Sequence, residues 1–314
     1  MHKLVTAIRI SLVFGLFSLL LTTYQCDRGP IVPNPEWTKV AEGLKFPEGP
    51  AWDRENTLYV SNCYGDWITR IHSGVADTFI VADNQNHQFK KTNGLVFGNN
   101  SLFACDFGRC AILNIDRTGK IRTIASGYQD EPFHRPNDLA FGPDGHLYFT
   151  DPFNYDRNNP DGTVYRITFP GFQVEPLIRN LAFPNGIAFS KDRKHVYICE
   201  SASGRVLKFS FSKDGSIFKQ AVLIELPGGD PDGIALDKKG NIYIAHFGGS
   251  AVYIVSPKGK VLQTIPTPGK KPSNLEFGGK DLKTLYLTED ETNAVYQCPV
   301  KIPGLPLLIP DRDN

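Results

Sequence analysis

The 314-residue sequence predicts an all-β fold, a six-bladed β-propeller, on three observations. A short phrase, an Asn, Asp or Glu followed by a small or apolar pair and an apolar strand, returns six times: Glu48 in FPEGPAWD, Asn93 in TNGLVFG, Asn137 in PNDLAFG, Asn185 in PNGIAFS, Asp232 in PDGIALD and Asn274 in SNLEFGG. The spacings of 45, 44, 48, 47 and 42 residues are those of one four-stranded sheet per repeat. Composition agrees, because 41% apolar residues with 29 Gly and 23 Pro suit a turn-rich β protein with ample core.

The elements follow in chain order. Residues 1–25 read as a secretory signal peptide: Lys3 and Arg9, an apolar stretch over 10–21, then the polar Thr22, Thr23, Tyr24 and Gln25. About 12 apolar residues fall short of the roughly 20 that span a bilayer. Cleavage is therefore expected, giving a secreted or extracytoplasmic chain without stable membrane insertion; a signal anchor or a lipidated Cys26 are the alternatives. Residues 36–300 form the propeller. Its second strands are TLYVSN (57–62), SLFACD (101–106), HLYFTD (146–151), HVYICE (195–200), NIYIAH (241–246) and TLYLTE (284–289), each alternating with period two. Third strands follow as WITRI, AILNI, TVYRI, RVLKF, AVYIV and AVYQC. No fourth strand follows Cys298, so residues 37–44 are expected to supply it, closing the ring and removing exposed sheet edges. The tail, 301–314, is rich in Pro and charge and is expected to be loosely held. Six cysteines in an exported chain permit disulfides, and a ring that joins its ends makes Cys26–Cys298 a plausible staple; as the alternative, several are small buried hydrophobes.

A net charge of +1 and the lack of a basic run with interleaved aromatics leave no field that favours nucleic acid. G-x-S-x-G, H-E-x-x-H and P-loop motifs are absent, which removes support for serine-nucleophile and nucleotide chemistry. Equivalent positions in radial blades share radius and height, so the six phrase residues should converge on the axis. Any one of them alone reads as a turn residue. Glu48, however, is a poor turn former, and the constant offset before each strand favours a ring. Two carboxylates among carboxamides suit a hard cation, Ca²⁺. Charge balance selects Glu48 and Asp232, with Asn137 and Asn185 completing the shell; Asn93 and Asn274 are left to orient substrate or fill the ring. A second column ends the second strands: Asn62, Asp106, Asp151, Glu200, His246 and Glu289. Some of these are expected at the pocket mouth, Asp151 and His246 as substrate contacts.

At this point the residues resemble a known family. FPEGP, RPNDLAFGPDGHLYFTDP, FPNGIAF and DPDGIALD are similar to motifs of the senescence-marker-protein, gluconolactonase and luciferin-regenerating-enzyme family, and KPSNLEF…LYLTEDETNAVY resembles the last blade of diisopropyl fluorophosphatase. The resemblance implies a six-bladed propeller with a catalytic axial Ca²⁺ that hydrolyses lactones or organophosphate esters. It implies Glu48, Asn137, Asn185 and Asp232 as metal ligands and Arg135 with Asp151 facing substrate. A second, buried calcium of the phosphatase lacks its Asp and His here, where Ala235 and Glu276 stand. The expected activity is Ca²⁺-dependent hydrolysis of a lactone or related ester, with Asp232 as general base or nucleophile and Glu48 beside it. A phosphotriester hydrolase and a secreted, non-catalytic binding propeller are the alternatives.

Overall fold

The computed structural model describes residues 31–33, 35–82 and 89–308. The expected signal peptide and Cys26 lie outside these residues, as does most of the loop at 84–91. Six four-stranded antiparallel sheets are arranged as blades, and in the first five the strands run in sequence order from the innermost outward. Blade 1 comprises Pro47–Trp52, Thr57–Asn62, Trp67–His72 and Val75–Val81. The inner strands of blades 2 to 6 are Thr92–Gly98, Leu139–Phe141, Pro184–Phe189, Asp230–Leu236 and Pro272–Gly278. The sixth blade has only three strands of its own and takes Thr38–Ala41 as its outer one, with Thr38 opposite Gln297 and Lys39 opposite Tyr296. The ring is thus closed by the N-terminal strand, as the sequence predicts. Among the described residues no helix is long and apolar enough to cross a membrane.

One packing rule holds the blades together. The aromatic residue at the third position of each second strand lies against the inner strand of the next blade: Tyr59 on Phe97, Phe103 on Phe141, Tyr148 on Phe189 and Tyr243 on Phe277, at ring separations of 6.0, 5.2, 5.0 and 5.0 Å. Tyr197 packs with Leu236 in the same way, and Tyr286 stacks on Trp52 at 5.7 Å to close the circle. Each buried aromatic contributes about 1.5–3 kcal/mol of transfer free energy, and a well-placed ring pair roughly 0.5–1.5 more. The core is accordingly six clusters, one between each pair of neighbouring blades.

Near the axis the inner strands are also tied by hydrogen bonds from one blade to the next. The Gly94 N–H donates to the Asn137 carbonyl (2.7 Å), Thr150 Oγ1 to Asn185 (2.8 Å), Ser201 Oγ to Pro231 (2.9 Å) and Ser273 Oγ to Pro47 (2.8 Å). These bonds fix the height at which each inner strand presents its first residues.

The tail corrects an expectation. Its first part is anchored across the face that carries the inner-strand ends. Lys238 N–H donates to the Pro303 carbonyl (2.8 Å), Gly304 N–H to Leu282 (2.8 Å), Leu305 N–H to Leu236 (2.7 Å), and Arg54 Nη2 to the Leu307 carbonyl (2.7 Å). Leu305 and Leu308 add apolar contacts with the clusters around blades 2 to 5. These backbone hydrogen bonds and the partial burial of Leu305, Leu307 and Leu308 outweigh the proline and charge content that suggests a loose end. None of the five described cysteines pairs with another described cysteine, and Cys63, Cys105, Cys199 and Cys298 are buried. The partner expected for Cys298 lies outside the described residues.

Candidate functional site

Strand register defines the ring. In blades 1, 2, 4 and 5 the residue before the phrase pairs with the last residue of the second strand: Pro47 with Asn62, Thr92 with Asp106, Pro184 with Glu200, Pro231 with His246. A one-residue β-bulge follows at once in each. In blade 6 the same pair is Pro272 with Glu289. The residue that corresponds to Glu48, Asn93, Asn137, Asn185 and Asp232 is therefore Ser273, and Asn274 sits one place further on. Aligning on the Asn of PSN shifts blade 6 by one residue; aligning on the Pro of PEG, PND, PNG, PDG and PSN recovers it.

The shifted position forms a second layer beneath the ring. Four blades have glycine there, and the other two have Asp138 and Asn274. A Cβ on Gly94 would press on Asp138 Oδ1, and one on Gly233 would land on Asn274 Oδ1. Glycine in four blades thus makes room for two polar side chains in the middle. Asp138 accepts from the Leu139 N–H (2.9 Å), and Asn274 Oδ1 accepts from the Leu275 N–H (2.8 Å). Below them Asp138, Asn274 and Glu276 line a cavity of about 90 Å³ that the tail residues Leu305, Leu307 and Leu308 also border.

Above the ring is an open cavity of about 250 Å³. Glu48, Asn93, Asn137, Asn185 and Asp232 line it, together with Arg135. Asn274, Asp151 and His246, also expected at this site, are not among its lining residues. The second column instead clamps the chain entering each blade. Lys45 N–H donates to Asn62 Oδ1 (2.9 Å), Lys90 and Lys91 N–H to Asp106 (2.9 Å each), Ala182 N–H to Glu200 (2.7 Å), and Lys271 N–H to Glu289 (2.8 Å). Asp151 receives His134 N–H (3.0 Å) and Arg135 N–H (2.7 Å), so it positions the loop that carries Arg135. His246 reverses the polarity, placing Nε2 3.1 Å from the Leu226 carbonyl with its ring edge-on to Tyr253. Buried backbone donors need partners, and the second strand's last side chain supplies them.

The residue after each clamp faces the cavity: Cys63, Phe107, Pro152, Ser201 and Phe247 line it. The sixth in this register is Asp290, which sequence reasoning passed over. Its carboxylate is buried, and neither oxygen has a hydrogen-bond partner. Asp232 Oδ1 is likewise buried and unpartnered.

Five acids crowd this axis. Burial raises Glu48 to about 8, reinforced by Asp138 and opposed by the Gly49 N–H, which donates at 3.0 Å. Burial raises Asp138 to about 7 and Glu276 to about 8. Asp290 rises to about 10 through burial and then Glu48, and Asp232 rises through burial, Glu48 and Asp290. Desolvated like charges of this density call for a countercharge. A hard divalent cation fits the donor set at the cavity floor: two carboxylates, one of which, Asp232, has an unpartnered oxygen, and the carboxamide oxygens of Asn137 and Asn185. Among the described residues no three His, Cys, Asp or Glu side chains form a group that could hold a metal ion.

Fold and site together define a six-bladed propeller with an acidic, carboxamide-bearing floor to its central cavity. The chain belongs to the SMP-30/gluconolactonase/LRE-like family, whose model matches residues 46–290. It is 28% identical over 280 residues to a gluconolactonase of Zymomonas mobilis, covering 79% of this chain and 77% of that protein. To a diisopropyl-fluorophosphatase of Loligo vulgaris it is 27% identical over 300 residues, covering 85% and 93%. The solved structure of a gluconolactonase from Xanthomonas campestris superposes with a TM-score of 0.75 at 26% identity, over 86% of this chain and 91% of that one.

Proposed function

We propose that the protein is a Ca²⁺-dependent hydrolase of lactones or related esters. The observation that carries this reading is the pair of buried carboxylates, Glu48 and Asp232, in the floor of an open cavity, with Asn137 and Asn185 beside them and Asp232 Oδ1 left without a partner. Those four residues would hold the ion, and Asn274 lies in the layer beneath them. Bound there, Ca²⁺ supplies Lewis-acid polarisation of the substrate carbonyl or phosphoryl oxygen and neutralises the two carboxylates.

The chain's own groups supply the rest. The Asp232 carboxylate accepts a proton from the water whose oxygen bonds to the acyl carbon. The ring C–O bond then breaks, and the leaving oxygen takes a proton to give the hydroxy acid. Arg135, exposed at the mouth and held by the clamp on its own N–H, is placed to meet the substrate's oxygen atoms. A phosphotriester is the second reading, favoured by the similarity to the fluorophosphatase over most of both chains. On such a substrate Asp232 would attack phosphorus directly as the bond to the leaving group breaks, and water would then hydrolyse the phosphoryl–aspartyl ester to restore the carboxylate. A signal peptide at 1–25 would place the reaction outside the cytoplasm, which fractionation of the full-length chain tests.

The deciding experiment is hydrolysis of a lactone and a phosphotriester panel with calcium and after chelation. Turnover that is lost on chelation and restored by calcium supports the reading. Turnover indifferent to chelation, or none on either panel, contradicts it.

A further inference from the structure

We propose that the ester taken by this cavity carries an apolar alkyl or aryl substituent and is not a polyhydroxylated sugar lactone; the inference rests on the hydrolase reading and narrows it. Six aromatic residues line the cavity: Phe46, Tyr64, Phe107, Tyr155, Phe183 and Phe247. Two groups of contacts build its walls. Phe46 lies 4.5 Å from Tyr64 and 6.1 Å from Phe247, ring centre to ring centre, and Tyr155 meets Phe183 edge-on at 5.1 Å. Tyr64 and Tyr155 remain 62% and 56% exposed, so aromatic surface continues to the rim. Water leaves such surface readily for an apolar guest.

The polar inventory of the walls is short. Glu48, Asn137, Asn185 and Asp232 belong to the floor. Ser201 Oγ is engaged, donating to the Pro231 carbonyl at 2.9 Å and lying 3.3 Å from Asn185 Nδ2. The Tyr155 hydroxyl donates to the Ser201 carbonyl (3.4 Å). Asn93, Arg135, the Tyr64 hydroxyl and the half-buried Asp230 carboxylate at one side remain for a substrate's outer atoms. A sugar lactone brings several hydroxyls that lose water on entry, and each one left without a partner weakens binding by roughly tenfold or more. A methylene laid against an aromatic wall strengthens it about fourfold.

The test compares kcat/KM of the calcium-loaded protein for δ-valerolactone, its 5-propyl, 5-pentyl and 5-phenyl derivatives, and D-glucono-δ-lactone. The proposal expects a rise of about fourfold per methylene over the first few carbons. It also places gluconolactone at least about tenfold below unsubstituted δ-valerolactone. Replacing Tyr155→Ala, an exposed residue at the rim, should flatten the gain for the phenyl derivative. A preference for gluconolactone, or no dependence on the substituent, overturns the proposal and leaves the hydrolase reading standing. Should no ester turn over, that reading fails by itself. Calorimetric titration with the 5-phenyl and glucono compounds then decides the apolar preference: tighter binding of the phenyl compound supports it, equal or weaker binding overturns it.

Discussion

Replacing Glu48→Gln should have opposite effects on stability with and without calcium. Burial and neighbouring acids push the Glu48 carboxyl from its ordinary 4.5 up to about 8. Its folded-state pKa is thus raised, so the folded chain holds the proton more tightly than the unfolded one. The stability this confers on the metal-free protein is fully present below about 4.5 and is lost as pH rises through about 8. A shift of ~3.5 units at about 1.4 kcal/mol each gives an upper bound of roughly 5 kcal/mol. The neighbouring acids share that cost, so the part that falls on Glu48 alone is smaller. The neutral amide removes the titration and can still accept the Gly49 N–H. Thermal melts of chelated protein at pH 8 should therefore show Glu48→Gln more stable than wild type by roughly 5–10 °C. At pH 4.5 the two should nearly coincide. With millimolar calcium at pH 8 the order should reverse, because wild type gains the ion and the variant has lost a charged ligand. A variant that is destabilised to the same degree with and without calcium would refute the reasoning.

Two other substitutions and a truncation probe separate parts of the structure. Gly233→Ala puts a methyl group onto Asn274 Oδ1 and should lower unfolding free energy by about 2–4 kcal/mol, read by urea denaturation; an unchanged midpoint would contradict the two-layer packing. Asp151→Asn replaces a carboxylate that accepts two backbone N–H groups, so kcat/KM should fall about tenfold or more through displacement of Arg135. Calcium affinity in that variant should stay near wild type by calorimetry, and a parallel loss would mean that the clamp supports the floor instead. Ending the chain after Ile302 removes the anchored tail and its leucines and should lower the melting temperature by several degrees. An unaltered melt would show that the tail adds nothing.

The blades were legible because their signals are periodic and redundant. The six second strands, the aromatic at their third position and the closing strand all follow from alternation and from the need to remove sheet edges. The floor was legible because Glu48, a poor turn former, stands at the same offset before its strand as Asp232 and the asparagines. Register in blade 6 was not, since Ser273 and Asn274 are both polar and only the preceding Pro272 distinguishes their places. Asp138 escaped for a related reason, standing beside an asparagine that already satisfied the motif. The clamps at Asp151 and His246 were read as mouth residues because polarity at a strand end does not reveal whether it meets substrate or backbone. Asp290 has no sequence signal beyond its place after Glu289, and only its burial without a partner marks it. The tail's leucines were outweighed by its prolines, although burial is a property of the leucines.

A crystal of the protein grown with calcium, measured for anomalous scattering, tests the axial site most directly. The account predicts one strong peak at the cavity floor, about 2.3–2.6 Å from side-chain oxygens of Glu48, Asn137, Asn185 and Asp232. A map with saturating calcium and no peak among those four residues would contradict it.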